Sequence, residues 1–78
     1  MQRVAARTLD FFDRHVINLM ITRYGFEEFE AIRKFLESKT YQMLIDPETE
    51  LYKMSPLIIF DLWEHERATG NPRNSLYI

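Results

Sequence analysis

The sequence predicts a small all-α domain with three main helices, one extra short helix and an irregular C-terminal tail. Apolar residues recur at helical spacing along most of the 78 positions, and both glycines stand where a helix would end. A hydrophobic content of 46%, with 14% aromatic, is too rich for a chain that stays disordered. Residues 1–70 therefore form a single helical domain and residues 71–78 its tail. Ordering a chain of this size costs on the order of 100 kcal/mol, which burial in so small a core roughly matches, so association with another surface is favoured from the outset.

The best-marked element runs from Met54 to Gly70. Ser55 suits the cap of a helix start, and Pro56 suits the first helical position, where its missing N–H costs nothing. Ile59, Phe60, Leu62 and Trp63 form the core-facing stripe, with Asp61 and His65 on the far side. Met54 is placed to pack on Ile59 as a hydrophobic staple, and Gly70 before Asn71-Pro72 ends the helix with a left-handed residue. Trp63, on the main stripe, is a core residue.

Earlier in the chain, residues 3–24 read as the first helix, closed by Gly25. Ala5, Leu9, Phe12, Val16, Leu19 and Met20 share one face, while Arg3, Arg7, Asp10 and Arg14 lie opposite. Ile17 and Ile21 break this division by projecting from the side that is polar earlier on, with Tyr24 near them. That flank needs a cover, supplied either by a later segment of the same chain or by another subunit.

Residues 26–38 predict a second helix with Phe29, Ile32, Phe35 and Leu36 on one side and Glu27, Glu30, Lys34 and Glu37 on the other. Glu27, Glu28 and Glu30 crowd its first turn, where the helix dipole favours anions. Side chains on one turn rarely converge on a cation and no EF-hand spacing is present, so no metal site is expected. Residues 40–46 read as a two-turn helix capped by Thr40, followed by a turn at Pro47 and a short extended lead into Ser55; a hairpin over 41–54 is the alternative. The tail turns at Asn71-Pro72 and ends in Leu76, Tyr77 and Ile78, which dock on their own body or on a second copy.

Composition excludes several functions. The absence of cysteine removes disulfide frameworks and thiolate zinc sites and favours a reducing, cytoplasmic setting. No apolar run approaches the roughly 18 residues of a membrane span, and the first ten residues lack the apolar core of a secretory signal. Net charge is −2, and only the first helix leans basic, through Arg3, Arg7, Arg14 and Arg23, a thin footprint for nucleic acid. Two glycines, both at helix ends, provide no phosphate-cradling loop. His15 lies beside Phe11 as a boundary residue, and His65 follows Asp61 at i+4 with no serine or cysteine nucleophile in evident partnership. Glu64 and Glu66 flank His65 but point away from it, which makes no chelating face. No catalytic, cofactor-binding or metal residue is assigned, and no small-molecule substrate is evident.

Residues 38–52, Ser38-Lys39-Thr40-Tyr41-Gln42-Met43-Leu44-Ile45-Asp46-Pro47-Glu48-Thr49-Glu50-Leu51-Tyr52, resemble a pattern in short uncharacterised bacterial proteins. In these, a helix with Ser-x-Thr-Tyr-x-x-Leu leads to an acidic turn and then a Thr-x-Leu-aromatic step. The resemblance implies a small, mostly helical protein of the kind sometimes encoded beside toxin–antitoxin or mobile-element genes, and it carries over no functional residues. The expected function is a non-enzymatic protein-interaction module that self-associates or binds a protein encoded nearby. Its interface is expected at Ile17, Ile21 and Tyr24, joined by Leu76, Tyr77 and Ile78. The rivals are an antitoxin-like or repressor-like regulator using the arginines of the first helix, and an accessory subunit of an enzyme in which His65, Asp61 and Glu64 would matter.

Overall fold

The computed structural model describes residues 2–75 and is all-α, with no strand among them. The main helices are α1 (Ala6–Tyr24), α2 (Glu28–Leu36), α3 (Lys39–Ile45) and α4 (Pro56–Thr69). Short 3-10 turns follow α3 at Pro47–Thr49 and Leu51–Lys53, and another follows α4 at Pro72–Asn74. The hairpin alternative is thereby overturned. Leu76, Tyr77 and Ile78 lie outside the described residues.

One core joins all four helices. Phe12, Val16 and Met20 of α1 meet Ala31 and Phe35 of α2, Leu44 of α3, and Ile59, Phe60, Leu62 and Trp63 of α4, with Leu51 closing the gap beneath the 3-10 turns. Both helix-ending glycines take the left-handed conformation that their positions require, Gly25 with φ 73° and Gly70 with φ 82°. At the start of α4, Ser55 caps by accepting from the Ile58 N–H, and Pro56 occupies the first turn as expected.

Several boundaries differ from the sequence reading for tertiary reasons. The first helix begins at Ala6 rather than at residue 3, because the Val4 N–H donates to the Ile45 carbonyl (2.9 Å) and ties the leading residues to the end of α3. Ala5 is consequently exposed. The second helix begins at Glu28, since the Phe26 ring lies against Tyr24 and Trp63 before the helix starts. α3 is capped by Ser38, not Thr40: the Ser38 hydroxyl accepts from the Tyr41 N–H (3.0 Å) and donates to the Phe35 carbonyl (2.6 Å). The expected extended lead into Ser55 is a second 3-10 turn, entered through Glu50 at φ 58°, which reverses the chain so that Leu51 is buried.

α2 holds the largest correction. Its core face is Ala31 and Phe35, both fully buried, whereas Phe29 is 84% exposed and Leu36 42%. The small Ala31 side chain permits close approach of neighbouring helices, and a helix seated on that side turns Phe29 and Leu36 outward.

Candidate functional site

The α1 residues that sequence left without a cover form one wall of a groove. Asp13, Ile17 and Ile21, spaced four apart, make a row beside the buried row Phe12, Val16 and Met20. Glu28 and Ile32 of α2 form the opposite wall, and the space between is an open cavity of about 520 Å³. Ile17, Ile21 and Ile32 are half-buried, with Ile17 and Ile21 packed on the core beneath. α2 therefore narrows this flank without sealing it. His15 and Asn18 stand at the outer rim.

Asp13 is the unexpected member. Its Oδ1 is buried and has no hydrogen-bond partner. Burial, with the nearby Asp10 charge adding to it, pushes the Asp13 carboxyl up to about 6. Across from it, burial raises the Tyr41 hydroxyl, and the Asp13 charge pushes the same way while Arg3 opposes it. An acid on an otherwise apolar row at i, i+4, i+8 is the signal of this site that the sequence carries.

Tyr24 belongs elsewhere. Although 38% exposed, its hydroxyl donates to Glu64 Oε2 (2.5 Å), a bond that raises its pKa. Its ring stacks on Phe26 (5.6 Å) and meets the edge of Trp63 (5.8 Å). The Arg67 guanidinium lies 4.2 Å from the centre of the Tyr24 ring, 5.3 Å from Phe26 and 5.7 Å from Trp63. Three rings around one cation make a cation–π clasp that fastens the α1–α2 junction to α4. Tyr24 thus serves its own chain, while Ile17 and Ile21 remain together on the groove.

The polar residues of α4 hold neighbouring segments. Asp61 Oδ2 accepts from the Ser75 hydroxyl (2.7 Å) and lies 3.3 Å from His65 Nδ1, which also sits 2.9 Å from the Asp61 carbonyl. The carboxylate is the middle member of this trio. In a nucleophilic triad the imidazole stands between hydroxyl and carboxylate, so this order is not that of a triad, and the Ser75–Asp61 bond fastens residue 75 to α4. One turn further on, the Glu66 carboxylate accepts from the Lys39 N–H (2.9 Å), the Thr40 N–H (2.9 Å) and the Thr40 hydroxyl (2.8 Å). Glu66 thereby occupies the unsatisfied N-terminal donors of α3.

Elsewhere, Arg14 pairs with Asp10 (3.1 Å), leaving Arg3 and Arg7 as the basic groups near the start of α1. Among the described residues, no three His, Asp or Glu side chains gather as metal ligands, and no helix is long and apolar enough to cross a membrane. In comparisons with known proteins, no family model, no curated protein and no solved structure matches the chain.

Proposed function

We propose that this chain is a non-enzymatic protein-interaction module that presents the α1–α2 face to another protein surface. One observation carries the reading: Phe29, 84% exposed, stands one helical turn from Ile32 at the edge of the apolar groove. Burying a phenylalanine is worth about 1.5–3 kcal/mol, so a fold that spends Ala31 on its core and leaves Phe29 in water forgoes stability that a partner can recover. Leu36 extends the same apolar edge by another turn. The absence of cysteine supports a cytoplasmic setting. A nucleic-acid role draws less support, because Arg14 is already paired with Asp10.

Site-specific photocrosslinking tests the reading. A benzophenone side chain at position 29, in the full chain in its producing cell, should give one adduct of defined mass, while the same group at the exposed position 48 should not. Absence of an adduct at position 29 at any expression level would sink the proposal.

A further inference from the structure

Resting on that reading, we infer that the α1–α2 groove receives a helix of another protein that brings a lysine, carried on an otherwise apolar row, against Asp13. The charges of the lining select this occupant. Asp13 stands on the α1 wall and Glu28 on the α2 wall, and neither has an ion-pair partner among the described residues. Arg14 is the one lysine or arginine that lines the groove, and its guanidinium is held on Asp10 Oδ2 through Nε (3.3 Å) and Nη2 (3.1 Å). His15, at the rim, keeps its ring against Phe11 (4.6 Å between ring centres). With Ile17, Ile21 and Ile32 between the two carboxylates, the groove is apolar and carries negative charge that no side chain of its own compensates.

The seating of Asp13 distinguishes lysine from arginine. Its Oδ1 is shut off from solvent without a donor, although the side chain as a whole is only half-buried. A donor that comes through the groove therefore meets a single oxygen of the carboxylate. The two-pronged guanidinium needs both oxygens, whereas a compact ammonium needs one and neutralises the charge that the two share. The aliphatic stem of a lysine suits the isoleucines beside Asp13, because it buries methylene groups while its head reaches the charge. From Asp13 to Ile21 the α1 wall advances about 12 Å at 1.5 Å per residue. A partner helix lying along the groove covers that length with positions i, i+4 and i+8, the lysine at the Asp13 end and apolar residues at the other two. The burial that holds the Asp13 carboxyl up at about 6 is what makes its charge one for a partner to compensate.

Amide NMR titration of the full chain at pH 7.5 tests the site with n-hexylammonium, n-hexylguanidinium and n-hexanol as probes. The ammonium should shift the amides of Asp13, Ile17, Ile21 and Ile32 saturably, with n-hexanol about fivefold weaker and the guanidinium between them. Asp13→Asn, which removes a buried charge and keeps the fold, should bind the ammonium and the alcohol within about twofold of each other. Absence of saturation overturns the inference, as does equal binding of ammonium and alcohol by the wild type, a guanidinium as tight as the ammonium, or a preference that survives Asp13→Asn. In the producing cell, Asp13→Asn should cut the adduct formed from position 29 about fivefold. An adduct unchanged by Asp13→Asn removes the lysine and leaves the interaction reading standing, whereas no adduct from position 29 in either background overturns both.

Discussion

Asp13 ties the chemistry of single residues to stability. The folded-state pKa of about 6 lies above the ordinary 3.8, so the folded chain holds more protons between those values. The penalty of ionising Asp13 is therefore fully present above about pH 6 and is relieved as the pH falls toward 3.8. At face value the difference is on the order of 3 kcal/mol, which the open side of the groove screens to about 1 kcal/mol. Asp13→Asn should accordingly raise the melting temperature by about 5 °C at pH 7.5 and by almost nothing at pH 4, measured by circular dichroism at low micromolar concentration. Equal gains at both pH values would contradict the burial account. Trp63 is the opposite case, a residue fully legible in sequence. It is 5% exposed and surrounded by Phe60, Phe26 and Tyr24, and Trp63→Ala should cost about 3–5 kcal/mol, enough to leave the chain largely unfolded in the same assay.

Among elements, α4 was the easiest to read because its signals are local. Ser55, Pro56 and Gly70 act on backbone groups within four residues of themselves, and no distant contact competes with them. α2 misled for a physical reason. Its wheel carries a wide apolar arc from Ala31 through Phe35 and Ile32 to Phe29, and the side that faces inward depends on how closely neighbouring helices approach, which no local pattern states. The groove is half visible in the sequence: Ile17 and Ile21 mark an uncovered flank, whereas the apolar side of α2 takes in Ile32 and nothing local marks Asp13 as buried. α3 was located, yet its support was invisible, since the acid that holds its first turn comes from α4. Glu66→Ala should leave the Lys39 and Thr40 amides and the buried Thr40 hydroxyl without their acceptor, costing about 2 kcal/mol and lowering the melting temperature by about 10 °C. Glu66→Gln, which retains one accepting oxygen, should fall between the two. A Glu66→Ala variant melting with the parent would mean that water replaces the carboxylate at no cost.

At the scale of the whole molecule, charge argues against duplex DNA as a ligand of the isolated chain. Net charge is −2, and the arginines of α1 are few and partly neutralised by Asp10, whereas counterion release requires several simultaneous phosphate contacts. Fluorescence anisotropy should register no sub-micromolar binding to duplex DNA at physiological salt, and tight binding that weakens steeply with added salt would refute this. The four-helix content followed from periodicity and caps, while the mutual placement of the helices rests on pairings between distant positions. The Glu66 cap makes one such pairing measurable in time. First-turn amides of a seven-residue helix normally trade their hydrogens with solvent quickly, having no acceptor within the helix. That of Thr40, a fully buried residue, is held by a carboxylate 26 residues away, so its exchange is slowed by a contact between α3 and α4. The Thr40 amide should therefore exchange more slowly than an ordinary first-turn amide and lose that protection in Glu66→Ala, making the first turn of the shortest helix a reporter of the α3–α4 contact.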